Sequence, residues 1–201
     1  MLLGLKDIGY NDAVLAEWED KTFCDIGCAT GRLLEHVKRL GFHVEGVELC
    51  PESAEYGMKK RGVKINVGTL EEINFFNNTF SIIHFSHLIE HVTDPIGFLQ
   101  EVKRILKPGG KVIVTTPNIA GFQAWLFGDK WRSAIRDHLF LFSRKTLASL
   151  LKMLGFRILQ TKTWGGLAVG SAPGWIKKPV DRLAKKWGFG DVMLFLVEEA
   201  E

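Results

Sequence analysis

The sequence predicts a parallel α/β sheet with helices on both faces, and three observations carry that prediction. Short apolar runs of strand length alternate along the chain with longer runs whose apolar residues fall at helical spacing. The first short run, Phe23-Cys24-Asp25-Ile26, empties into a glycine turn, Gly27-Cys28-Ala29-Thr30-Gly31, that opens directly into a helix. Acids, Asp25 and Glu48, stand at the ends of the first two predicted strands. Strands and helices alternating in this way pack as right-handed crossovers in one layered domain.

Residues 1–20 are amphipathic, with Leu15 and Trp18 near an acidic turn, and predict a short lead-in helix. In the glycine turn the missing Cβ atoms let a ligand approach the backbone. The amides at the start of the next helix are unpaired and point at whatever sits there. Asp25 is expected to face the same mouth, where it favours an ammonium or sulfonium over a pyrophosphate. Apolar residues at 33, 34, 37 and 40 define one helix face, and Gly41 is its cap. Strand two, 44–48, ends in Glu48, about 20 residues past the turn, where an acid accepts hydrogen bonds from ribose hydroxyls. Pro51 opens the next helix at a position that needs no N–H.

Strands three and four are predicted over 63–67 and 80–86, with a helix over 95–106 that buries Phe98, Leu99, Val102, Ile105 and Leu106. Lys107-Pro108-Gly109-Gly110 stops that helix before strand five at 111–116. A helix over 145–154 and strands over 156–160 and 192–197 complete the pattern, and a short basic helix is predicted from Arg182 to Trp187. Residues 117–138 break the rhythm with Phe122, Trp125, Phe127 and Trp131 in an aperiodic stretch, together with Arg132 and Arg136. An aromatic insertion at the carboxyl end of strand five lies where such sheets place ligands, and reads as a lid over an apolar substrate.

The 201 residues are enough for one domain, 1–201, with a substantial core. A net charge of +3 is too mild to imply a nucleic-acid partner. No apolar run approaches the roughly 18 residues a membrane span needs, and the first residues lack a signal-peptide pattern. Cys24, Cys28 and Cys50 form no paired zinc-ligand pattern and read as thiols of a reducing cytosol, which predicts a cytoplasmic protein.

Five motifs in register now resemble class I S-adenosylmethionine-dependent methyltransferases. They are residues 24–31, Val47-Glu48, Phe80-Ser81-Ile82-Ile83, Glu90-His91-Val92 and Arg104-Ile105-Leu106-Lys107-Pro108-Gly109-Gly110. Thr116-Pro117-Asn118 and His138-Leu139-Phe140-Leu141-Phe142-Ser143 narrow the likeness to the small-molecule branch similar to ubiquinone-biosynthesis enzymes. The resemblance implies a Rossmann-like doubly wound sheet of seven strands, mostly parallel with the last antiparallel, and S-adenosyl-L-methionine as cofactor. It sets that cofactor against Asp25, Gly27, Cys28, Gly31, Glu48, Leu49, Thr69, Leu70, Phe85 and His87. Asp25 and Gly27 would hold its methionine part, Glu48 its ribose, and Leu49 its adenine. Thr69 stands where relatives carry Asp for the adenine amine, with Glu71 as the substitute. Ala29 replaces the usual glycine, which a negative φ accommodates.

The resemblance also implies methyl transfer to a small-molecule acceptor, most simply a hydroxyl deprotonated by His91 or His138, whose ordinary pKa near 6.5 suits the task. Related quinone-biosynthesis enzymes can carry Glu-x-x-Glu-His and a divalent metal at the positions of His87, Glu90 and His91. Here His87 replaces the first Glu, favouring a transition metal over Mg²⁺ if any binds, and no metal is assigned. Lys177, Lys178, Arg182, Lys185 and Lys186, interleaved with Trp175 and Trp187, offer contact with a membrane surface or an anionic partner. Two other functions compete. A nicotinamide oxidoreductase wants Gly-x-Gly-x-x-Gly, which this turn lacks. A non-catalytic, methyltransferase-like binding module is left open by the short lead-in and by Thr69.

Overall fold

The computed structural model describes residues 6, 8–165 and 188–200. The predicted helix from Arg182 to Trp187 and the basic cluster at 177–186 lie outside them. A lead-in helix, α1 (Asp12–Ala16), precedes β1 (Thr22–Ile26) and α2 (Arg32–Arg39). There follow β2 (His43–Glu48), α3 (Pro51–Arg61), β3 (Lys64–Val67), α4 (Leu70–Ile73), β4 (Phe80–Ser86) and α5 (Pro95–Ile105). The second half holds β5 (Leu106–Pro117), α6 (Phe122–Phe127), a 3-10 turn (Gly128–Lys130), α7 (Arg144–Met153), β6 (Phe156–Trp164) and β7 (Val192–Glu199).

The sheet order is β3-β2-β1-β4-β5-β7-β6. All pairs from β3 to β5 are parallel, and β7 runs antiparallel between β5 and β6. This is the expected seven-stranded, doubly wound sheet. Strand order reverses between β1 and β4, and the crevice outside their carboxyl ends is where such a sheet takes a ligand.

Side-chain parity divides the core into two layers. Cys24, Ile26, Ile83, Phe85, Val112 and Val114 point to one face and pack under Phe98, Leu99 and Val102 of α5 and Leu147 and Leu151 of α7. Phe23, Val44, Ile82 and Ile113 point to the other, beneath Leu33, Leu34 and Val37 of α2 and Leu15 of α1. Among the described residues no helix is long and apolar enough to cross a membrane.

β5 and β6 run well past their predicted bounds. β5 begins at Leu106, directly after α5, because Leu106 pairs with Phe80 before a register shift absorbs the glycine-rich stretch. β6 reaches Trp164 because β7 pairs it as far as Val192. The insertion at 117–138 is tied to the start of β7 by Asp191, a carboxylate with no exposed surface. Asp191 accepts from the Trp131 indole N–H at 2.5 Å and from Arg132 Nε at 2.9 Å. The backbone adds Phe122 N–H to Phe189 O at 2.8 Å, and the Asn118 side chain adds a bond to Gly190 O at 2.9 Å. Trp131 is therefore an anchor in the core, whereas Trp125, Leu126 and Phe127 stand in solvent.

Candidate active site

A cavity of about 880 Å³ opens at the carboxyl ends of β1, β2 and β4. That is within the range of pockets that enclose cofactor-sized ligands. Ile26 and Gly27, Glu48 and Leu49, Thr69 to Glu71, His87 and Leu88, His91 to Asp94 and one side of α5 from Gly97 to Arg104 line it. Of the residues expected to bind a cofactor, Gly27, Glu48, Leu49, Thr69, Leu70 and His87 lie on its wall, and His91 joins them.

Glu48 bridges two strand ends. Its Oε2 accepts the Ala29 N–H of the glycine turn at 2.7 Å, and its Oε1 accepts the Cys50 N–H at 2.9 Å. A carboxylate oxygen has two lone pairs, so each still has one free for a ligand donor. Ala29 reaches Glu48 with a φ of +47°, which overturns the negative φ expected for it. The left-handed backbone costs a non-glycine residue about 1–2 kcal/mol, offset in part by the charge-assisted bond it makes. Gly27, at φ +72°, lies beside Leu88, and a Cβ there would come within 3.3 Å of that side chain.

Thr69 lies on the wall, but its hydroxyl caps α4, accepting the Glu72 N–H while Glu72 accepts the Thr69 N–H. The hydroxyl is thus already engaged in holding the loop. Leu49 is 64% exposed and offers an apolar shelf at the rim. His87 sits in the left-handed region at φ +53°, its N–H bonded to Thr115 O. Residues 89–91 form a turn rather than a helix, so His87, Glu90 and His91 are not helical neighbours.

Asp25, Cys28, Gly31, Phe85 and His138 do not line the cavity. Asp25 does not face the mouth as expected. It shares the face of Phe23, is 1% exposed, and its Oδ1 lies 2.7 Å from His84 Nδ1 of the neighbouring strand. Its Oδ2 is buried without a hydrogen-bond partner. Cys28 is buried where a Cβ on Gly46 would meet its sulfur at 2.5 Å, and burial next to Asp25 pushes its thiol pKa well up. It is inert packing. Gly31 begins α2 at φ +68°, and a Cβ there would meet Val63 at 2.8 Å. Phe85 is a core ring set edge-on to Phe98.

Beside the cavity His91 and His138 meet edge to face, with ring centroids 4.7 Å apart. His91 Nδ1 lies 2.8 Å from Asp137 O, and His138 Nδ1 lies 2.7 Å from Ser133 O. A carbonyl only accepts, so in each neutral ring Nδ1 carries the proton and Nε2 the lone pair. Glu90 lies beneath them with no exposed surface. Burial raises its pKa, but His87, a backbone N–H and the Thr116 hydroxyl together outweigh that and hold it below the ordinary glutamate value. The wall formed by Thr93, Asp94, Gly97 and Phe98 was not anticipated from the sequence. Its one signal is Gly97, a glycine inside an apolar helix, where a Cβ would meet the Asp94 cap at 2.5 Å.

Residues 10–161 match a family model described as a methyltransferase domain. A ubiquinone biosynthesis O-methyltransferase of Parvibaculum lavamentivorans is 31% identical over 118 residues, which cover 55% of this chain and 46% of that protein. The match thus spans less than half of that relative's length. An uncharacterized protein of Methanocaldococcus jannaschii is 29% identical over 174 residues, covering 83% of this chain and 76% of its own. Among solved structures, a possible histamine N-methyltransferase of Thermotoga maritima, described as dependent on S-adenosylmethionine, superposes with a TM-score of 0.69 at 25% identity. The superposition covers 93% of this chain and 86% of that one.

Proposed function

Because the chain belongs to the class I S-adenosylmethionine-dependent methyltransferase family, we propose that it transfers the cofactor's methyl group to a hydroxyl of a small molecule. The observation that carries the reading is Glu48, fixed by two backbone amides at the cavity rim with lone pairs to spare. The surrounding residues fit the cofactor. Asp25, 1% exposed and turned to His84, acts at one remove, through the strand end that carries the turn. Gly27 keeps the turn clear, and the exposed Leu49 suits an adenine face. Cys28, Gly31 and Phe85 act at one remove, by shaping the turn and the strand end.

When bound, the sulfonium supplies an electrophilic methyl, and what this chain contributes is alignment. Holding reactants in line at about 3–3.5 Å lowers a barrier by roughly 7–11 kcal/mol. Glu48 would fix the ribose, Leu49 and Leu70 the adenine, and His87 would face the reacting end. His91 would take the acceptor's proton at Nε2, with His138 supporting its ring. The hydroxyl reading draws on the O-methyltransferase relatives and on these free imidazole lone pairs. The 117–138 insertion, whose His138 packs against His91 beside the cavity, would close over the acceptor. Three unpaired cysteines fit a reducing compartment, and we place the protein in the cytoplasm.

Incubation of the chain with trideuteromethyl S-adenosylmethionine and a small-molecule extract tests this. The expected product carries the label on oxygen, and His91→Gln slows its formation by roughly 10²–10⁴-fold. Label found only on nitrogen, on carbon or on macromolecules would refute the hydroxyl reading.

A further inference from the structure

We infer that the apolar patch on and beside the 117–138 insertion docks a second copy of this chain about a two-fold axis. Six exposed side chains carry the patch: Trp125, Leu126 and Phe127 of α6, with Ile119, Phe140 and Phe189. Short contacts gather them. The Phe122 ring packs on Trp125 with centroids 5.9 Å apart, and the Phe122 N–H reaches Phe189 O at 2.8 Å. The Ile119 N–H bonds Phe142 O at 3.0 Å, and the Phe142 ring stacks on Phe140 at 6.2 Å. Trp125 is the extreme member, at 77% exposure.

Area and charge decide what covers the patch. With about 150–250 Å² on a whole aromatic side chain, the six leave roughly 600 Å² of apolar surface in water, the upper end of what a monomer carries as its largest patch. A standard interface takes about 800 Å² from each partner, and in homodimers about 65% of that area is apolar. The patch therefore matches what one half of a stable dimer needs. The charges around it are self-complementary. Arg132 is paired with Asp191, which leaves Asp129 beside Lys130 and Arg136 beside Asp137 as two exposed doublets with no ion pair among the described residues. Their charges cancel. A two-fold axis sets such doublets antiparallel to their copies, so that the acid of one meets the base of the other. An anionic bilayer or a strongly charged partner would find no net charge here to attract it.

The support is already ordered. Asp191 holds Trp131 and Arg132 in place, so association pays little to fix the insertion. The Phe140 N–H bonds Glu90 O, which ties the patch to the turn that carries His91, and pairing would steady that edge of the cavity. The surface stands independently of the methyl-transfer reading, and its test uses the chain alone.

Sedimentation equilibrium at roughly 1–100 µM covers the weak end of the affinities found for interfaces of this size. The expected result is a reversible monomer–dimer equilibrium whose upper mass is twice 22.6 kDa. Trp125→Glu should raise the dissociation constant at least ~30-fold, the effect of losing a tryptophan anchor. Phe76→Ser removes an equally exposed aromatic outside the patch and should change that constant less than about twofold. Hydrogen exchange of the wild-type chain, which needs no variant, should slow at 119–127 and 138–142 as concentration rises, and not in β3. A monomer across the whole range, a dimer untouched by Trp125→Glu, or a dimer lost in Phe76→Ser would overturn the surface. So would Trp125-dependent flotation of the monomer with phosphatidylglycerol vesicles, which would give the patch to a membrane. Full protection of 119–127 in the dilute monomer would likewise overturn it, by giving the patch to another segment of the chain.

Discussion

Replacing Glu48 by glutamine is expected to weaken S-adenosylmethionine binding by about 10–100-fold while leaving the fold intact. Hydrogen bonds to a charged group contribute about 1.5–3 kcal/mol, and every 1.4 kcal/mol is roughly tenfold in affinity. Glutamine keeps one acceptor oxygen, so it can satisfy either the Ala29 or the Cys50 amide that the carboxylate now joins. Its amide nitrogen then faces the other N–H and presents donors where a ribose hydroxyl needs an acceptor. Because the loss falls on the nucleoside, S-adenosylhomocysteine should weaken by the same factor, which calorimetry of both ligands reads directly. A change below twofold, with an unaltered melting temperature, would remove Glu48 from the ribose.

Asp191→Ala should be the most damaging single change outside the cavity. Asp191 has no exposed surface and gathers the Trp131 indole and the Arg132 guanidinium at the start of β7. Truncation leaves a buried indole N–H without an acceptor. Losing one member of such a pair costs about 3–5 kcal/mol when both are buried. The Arg132 side chain is 63% exposed, so solvent screens its share, and about 2–3 kcal/mol is the better expectation. In a domain of this size that lowers the melting temperature by roughly 4–12 °C. Hydrogen exchange should quicken first at 118–133, where the insertion meets β7, and only later in β1 and β4. Uniform exchange across the sheet would mean that Asp191 stabilises the whole fold rather than the insertion.

Much of this architecture was legible because alternation, glycine turns and strand-end acids are local signals. The seven strands, the position of α2 and the closeness of Glu48 to the glycine turn follow from spacing alone. Orientation and long-range meetings do not. Asp25 was expected at the mouth because it stands one residue before the turn. Yet strand parity already places it on the same face as Phe23, and only the register with β4 reveals His84 opposite it. The φ of Ala29 depends on an acceptor supplied by another strand, which no property of alanine announces. His138 meets His91 only because the chain after 117 folds back over the turn that follows β4, with Phe140 N–H bonded to Glu90 O. Residues 117–138 stand out in sequence as a break in the pattern, but Trp131 and Trp125 look alike there. Burial separates one as an anchor and the other as surface.

The account rests on one arrangement: an adenosyl ligand lying across the tips of β1 and β2 with its ribose on Glu48. Electron density from crystals grown with S-adenosylhomocysteine tests it most directly. The predicted result has both ribose hydroxyls within hydrogen-bond distance of the Glu48 carboxylate and the adenine against Leu49. Density for the nucleoside elsewhere, or a Glu48 carboxylate still facing only Ala29 and Cys50 with the ligand bound, would contradict it.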